Sequence, residues 1–254
     1  MKRMLIAGNW KMHKTLKEAE ELASDIFNWV ETNRPKSDVA VCPPFPFLHT
    51  ISKIIAGTKI YLGAQNCYHE PEGAFTGEVS PPMLVSVGCK FVIIGHSERR
   101  TYFSENDQLI NAKIQAALRF NLSPIFCIGE TLQERQENRT YEIVERQIKI
   151  GLNNISIEQI RNIVIAYEPV WAIGTGVSAN TEQIDEAHRF IRKLLINTFG
   201  PECNDTLILY GGSLNSKNAK EILSLPDVNG GLIGKASLDS KEFTKIIEYA
   251  EQSI

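Results

Sequence analysis

No stretch of this chain approaches the roughly 18 consecutive apolar residues that a membrane-crossing helix needs. Its opening, MKRMLIAGNWKMHK, has a basic head, but the apolar run there is only Met4 to Ala7. A secretory signal requires about 7 apolar residues or more. An excess of one charge is also missing: the net charge is −3, which leaves no electrostatic footprint for nucleic acid or an anionic membrane. The five cysteines, at 42, 67, 89, 127 and 203, form no CxxC pair and leave one unpaired, which fits a reducing cytosol better than a disulfide framework. Five scattered histidines contain no HExxH, and no metal site is expected.

Apolar residues make up 43 % and charged residues 22 % of 254 positions, as in an ordinary globular chain. No Ser/Gly-rich linker or low-complexity tract divides it, so residues 1–254 are expected to form one domain. Short β-rich runs recur at 4–9, 38–42, 59–64, 90–94, 122–128, 162–167, 206–210 and 230–234. They are nearly continuous apolar stretches, the pattern of parallel strands buried on both faces.

Helical periodicity fills the intervals. In 180–199, Ile184, Ala187, Ile191, Leu194, Leu195 and Phe199 fall mostly three or four apart, with Asn180 and Gln183 as a reciprocal cap and Gly200-Pro201 as a stop. Ser104, with Glu105 and Asp107, is expected to open another helix. Strict alternation implies an α/β fold with a parallel sheet and right-handed crossovers. Eight units in this length match a (β/α)₈ barrel, eight parallel strands surrounded by helices; a doubly wound open sheet is the rival.

Barrel enzymes carry their chemistry at the C-terminal strand ends. Those ends hold Asn9 and Lys11, Cys42, Gln65 and Asn66, His96 and Glu98, Glu130, Glu168, Gly211 to Ser213, and Gly234 with Lys235. Glu168 follows a strand and precedes Pro169, and the next residues, VWAIGTG, have the small tip of a lid, with Gly174 and Gly176 supplying backbone freedom. A surface or salt-bridged glutamate is the plain alternative; a base desolvated by a closing lid is the functional one. His96, before a short helical start, is read either as a structural hydrogen-bonder or as a neutral donor to a carbonyl. Lys11 is read either as a solvated surface charge or as the source of the local positive potential that the net charge lacks. The loops YGGSLNSKN and GGLIGKASLDS place glycines before helix starts, a phosphate-binding arrangement.

Several motif matches fail on context. Gly174 to Ala179 satisfies GxGxxA but does not turn directly out of a first strand. GHSER lacks the second glycine of a nucleophile elbow, and GGLIGKA lacks the spacing and hydroxyl of a Walker loop.

The segments GNWKMH, AQN…GAFTGEVS, GHSERR, CIGETLQER, AYEPVWAIGTG, YGGS and GLIGKASL occur in one order along the whole chain. Together they closely resemble the triosephosphate isomerase family, whose fold is the TIM barrel. The resemblance implies interconversion of dihydroxyacetone phosphate and D-glyceraldehyde 3-phosphate, with no cofactor and no metal. It implies Glu168 as the base, neutral His96 at the carbonyl, and Lys11 with Asn9 at the enediolate and the bound anion. Gly174, Ser213, Gly234 and the backbone of Lys235 are implied as phosphate ligands, and Glu98 and Cys127 as supporting residues. A cytoplasmic homodimer through the loop around Thr76 is implied as well. Two features depart from the family: Lys235 stands where a second glycine is more common, and Val177-Ser178-Ala179 replaces a lysine-led triplet after the lid. The alternatives are another phosphate-binding barrel, such as an aldolase or a different sugar-phosphate isomerase, and a non-catalytic barrel scaffold. Neither a Schiff-base lysine on an inner strand nor a reason for Asn9, Lys11, His96 and Glu168 together in a scaffold is evident in the sequence.

Overall fold

The computed structural model describes residues 2–172 and 179–254. Eight strands close into a barrel in sequence order: β1 Leu5–Asn9, β2 Asp38–Cys42, β3 Ile60–Ala64, β4 Cys89–Ile94, β5 Ser123–Ile128, β6 Val164–Tyr167, β7 Ile208–Tyr210 and β8 Gly230–Ile233. The ring is completed by β1 on β8, in parallel, with Leu5 opposite Gly230 and Gly8 opposite Ile233. Closure excludes the open-sheet rival. The expected runs at 162–167 and 206–210 each begin two residues too early, because Asn162 lies in a turn and Thr206 follows a short 3₁₀ helix.

Alternation along each strand sorts the core into two layers. Leu5 and Ala7, Ala40 and Cys42, Ile93, Ile125 and Cys127, Val164 and Ala166, Leu209 and Leu232 form one cluster that fills the barrel. Their neighbours Ile6, Val41, Val92, Phe126, Ile165 and Ile233 belong to a second cluster with Ile26, Ile114, Ile148, Ile191 and Ile247 of the surrounding helices. A strand buried on both faces needs apolar residues at odd and even positions alike, which is why these runs show no polar alternation.

Closure also dictates a glycine. Gly230 has φ of +122°, and a Cβ there would come within 1.9 Å of the Leu5 carbonyl oxygen. Any side chain would push β8 off β1 at the seam of the barrel.

The helix Thr181–Phe199 starts from the predicted box, Asn180 accepting from the Gln183 N–H at 2.8 Å, and stops at Gly200. On the inner side of this helix Arg192 donates to the Cys203 and Thr206 carbonyls and to Asn229 Oδ1, tying it to the chain before β7 and β8. The helix expected from Ser104 runs instead from Asp107 to Arg119 with Asn106 as its cap. Glu105 is drawn inward to meet Arg99 and Lys113, both at 2.5 Å, and Ser104 takes up φ of +54° to allow it. No helix among the described residues is long and apolar enough to cross a membrane.

Candidate active site

Every strand ends at the same mouth of the barrel, where Lys11 after β1, His96 after β4 and Glu168 after β6 come together. Glu168 follows β6 and is 2 % exposed. Its backbone N–H donates to the Ile128 carbonyl at 2.7 Å, which keeps it in line with the end of β5. A Cβ on Gly129 would lie 1.7 Å from the Glu168 carbonyl oxygen, and one on Gly211 would lie 2.9 Å from its Cγ. The flanking strand ends must therefore be bare for this glutamate to sit between them.

His96 follows β4 and caps the short helix Ser97–Tyr102. Its Nδ1 accepts the Glu98 backbone N–H at 3.2 Å, and its Nε2 lies 2.9 Å from Glu168 Oε1. The next N–H of the turn, that of Ser97, donates to Glu168 Oε2 at 2.9 Å. A single helix start thus fixes both groups, with one N–H on the imidazole and one on the carboxylate.

Burial works to raise the proton affinity of Glu168, but His96, the Ser97 N–H and the Lys11 charge outweigh it and hold the carboxyl below the ordinary glutamate range. For His96, burial disfavours the charged ring while the Glu168 carboxylate draws its proton affinity above the usual value. The Glu98 N–H aimed at Nδ1 opposes that second proton, since two donors would face each other. We assign the neutral ring, with its proton on Nε2, from this hydrogen-bond pattern.

Asn9 and Lys11 come from the end of β1. Asn9 Oδ1 accepts the Lys11 N–H at 3.1 Å, and Gln65 Nε2 donates to the Lys11 carbonyl at 2.8 Å. These contacts hold Lys11 at φ of +49°, a conformation uncommon outside glycine. Its ammonium meets Glu98 at 2.7 Å. Glu98 therefore serves Lys11, while Arg99 and Arg100 pair with Glu105 and Asp107 away from the site.

A cavity of about 520 Å³ opens beside these groups, lined by Asn9, Lys11, His96 and Glu98 on one side and by Gly211 to Asn215, Gly234 and Lys235 on the other. Ser213, Gly234 and Lys235 are thus brought to one wall. Cys127 lies wholly buried on β5, where burial and the Glu168 carboxylate push its thiol well above its usual range; it packs and does not react. Gly174, Val177 and Ser178 lie outside the described residues; Ala179, which completes the departing triplet, is buried.

Sequence reasoning missed three elements. Ser97 gave no signal beyond following His96. Gln65, present among the strand ends, supports Lys11 through the backbone. Glu130, also at a strand end, is fully buried and accepts from Tyr167 Oη at 3.0 Å, Trp171 Nε1 at 2.9 Å and Arg135 at 3.1 Å. It clamps the chain on both sides of Glu168. Among the described residues no group of three or more His, Cys, Asp or Glu is placed to hold a metal ion.

Comparison with known proteins agrees with this geometry. The family model described as triosephosphate isomerase matches residues 4–250. The chain is 50 % identical over 249 residues to the triosephosphate isomerase of Carboxydothermus hydrogenoformans, covering 98 % of this chain and 99 % of that one. It is also 50 % identical over 247 residues to that of Aquifex aeolicus, covering 96 % and 98 %. The crystal structure of triosephosphate isomerase from Bartonella henselae is similar with a TM-score of 0.88 at 39 % identity, over 97 % of this chain and 98 % of that one. With a family model spanning nearly the whole chain and relatives at half identity over full length, this chain belongs to the triosephosphate isomerase family.

Proposed function

We propose that Glu168, His96 and Lys11 carry the family's reaction here, the interconversion of dihydroxyacetone phosphate and D-glyceraldehyde 3-phosphate. The observation that supports it is the buried contact between a carboxylate and a neutral imidazole beside a cavity walled by two lysines and glycine loops. Glu168 takes a proton from the hydroxymethyl carbon, and the C–H electron pair moves to form the enediolate as charge develops on the carbonyl oxygen. The Nε2–H of His96 meets that oxygen, with Lys11 and Asn9 adding donors, which supplies the stabilisation a weak carbon acid requires. After the proton on the two oxygens is exchanged, Glu168 returns its proton to the neighbouring carbon and the aldehyde forms. Atoms and charge balance among substrate, Glu168 and His96, with no redox partner. In the structure Glu168 faces Ser97 and His96 and does not line the cavity. It must trade these donors for substrate, which raises its basicity when the reaction begins.

Ser213 and the N–H groups at Gly234 and Lys235 hold the phosphate in this reading, joined by Gly174. The elements run from Leu5 to Glu251 around one barrel, which supports residues 1–254 as a single domain. Five free, buried cysteines support a cytoplasmic setting.

The homodimer belongs to the same proposal. Met12 is 94 % exposed, Tyr102 75 % and Phe103 63 %. Met12 directly follows Lys11, and Tyr102 and Phe103 end the helix that His96 begins. A second copy covering these apolar groups with its loop around Thr76 would press on both elements that position the site. Sedimentation should give a mass near twice that of the chain. Thr76→Arg should shift it toward monomer with loss of activity, and a monomeric, fully active wild type would refute the dimer.

Glu168→Gln should lower kcat by about 10²-fold or more in a coupled assay, and Glu168→Asp should lower kcat more than it changes KM. Normal turnover in the glutamine variant would remove Glu168 as the base. The pH dependence follows from its depressed proton affinity. Ionised Glu168 is present above its lowered value, so activity and the stability of the pairing are lost only as pH falls through it. His96→Gln removes the imidazole and leaves the carboxylate buried, so the acid limb of the residual kcat/KM should move to higher pH by about one unit or more. An unmoved limb would contradict the coupling.

A further inference from the structure

The cavity is poorly balanced for an anion. Two lysines, Lys11 and Lys235, face three carboxylates, Glu98, Asp239 and Glu242. Lys11 is already committed to Glu98 at 2.7 Å. Asp239 accepts the Lys241 and Glu242 N–H groups at 2.9 and 3.0 Å as the cap of the helix Ser240–Glu251. Glu242 accepts from the Ser216 N–H and hydroxyl at 3.3 and 3.0 Å. Among the charged groups of this lining, Lys235 alone has no hydrogen bond or ion pair to the described residues.

Its backbone, by contrast, is fixed. Lys235 begins the 3₁₀ turn Lys235–Leu238, in which the Ser237 N–H and hydroxyl both donate to the Gly234 carbonyl, at 2.9 and 2.7 Å. A Cβ on Gly234 would come within 3.4 Å of Lys11 Cε, so this turn sits against the Lys11 stem. A fixed backbone at the cavity wall with an uncommitted, exposed ammonium suits a strongly charged, strongly hydrated ligand group.

We propose that the Lys235 side chain is a specificity-determining contact for the phosphate dianion, separate from any contact its backbone N–H makes. It is the cation that lessens the surplus of carboxylates, from two to one, and it sets how strongly binding depends on salt. The inference rests on reading this cavity as the phosphate site. Without Lys235 a dianion would meet one cation, held by Glu98, against three carboxylates. Because the side chain is exposed, its contribution is screened by ions and moderate in size.

Calorimetric titration with inorganic phosphate, which needs no turnover, tests the contact directly on the wild type and on Lys235→Met, Lys235→Gly and Lys235→Arg. At low ionic strength Lys235→Met and Lys235→Gly should weaken phosphate binding and raise KM by about three- to tenfold, with kcat within about twofold. Lys235→Arg should keep most of the affinity. The gap should narrow in about 1 M salt, where the screening length falls to about 3 Å. Unchanged phosphate affinity and KM in Lys235→Met, or a gap indifferent to salt, would overturn the proposal. A loss of kcat with unchanged KM would do the same. If the wild type bound phosphate through Lys235 yet failed to isomerise, the activity reading would fall and this contact would stand.

Discussion

The site depends on one contact, the 2.9 Å approach of His96 Nε2 to the Glu168 carboxylate. Both groups are buried, and a buried carboxylate survives only where donors replace the water it has lost. Here the imidazole and the Ser97 N–H do so. The two residues follow strands that are not neighbours, so β5 must pass between them without obstructing either. That requirement explains Gly129, whose missing side chain leaves room for the Glu168 backbone, and a small, inert thiol at Cys127 below it. A charged strand-end residue in a barrel is ordinary; this one is set apart by two donors, the His96 ring and the Ser97 N–H, from a single helix start.

The same contact organises the surroundings. Glu130 gathers Tyr167, Trp171 and Arg135, so the chain on either side of Glu168 is anchored to the end of β5. The Arg135 guanidinium also lies over the Trp171 ring, 4.6 Å from its centre, adding a cation–π contact to the clamp. Tyr167 and Trp171, on either side of Glu168, are therefore held by the same buried carboxylate. On the far wall, Gly211, Gly212 and Gly234 of the loops after β7 and β8 line the cavity. Charge is arranged locally: the net charge of −3 does nothing for an anionic substrate, and the lysines at the mouth provide what attraction there is.

Much of this was legible in the sequence because two signals are physically strong. Runs buried on both faces lose polar alternation, and eight of them with helical intervals leave few architectures. Strand ends then nominate Asn9, Lys11, His96 and Glu168 without reference to a family. Less legible were features set by packing across the barrel. Ser97 looks like any helix-start serine, and only the arrival of Glu168 gives its N–H a partner. Glu105 was misplaced for a related reason: its carboxylate is pulled inside by Arg99 and Lys113, which delays the helix to Asn106. Glu98 is followed by two arginines, yet it pairs with Lys11, which is 87 positions away in sequence and is presented by the turn after β1.

The central claim is that a single carboxylate, placed on one side of the substrate, moves the proton between adjacent carbons. Exchange in D₂O tests this most directly, with dihydroxyacetone phosphate as substrate and NMR as the readout. The wild type should place one deuterium, on one face, at the hydroxymethyl carbon, and Glu168→Gln should slow this exchange by about 10²-fold or more. Deuterium entering both positions, or exchange at an undiminished rate in the glutamine variant, would contradict it.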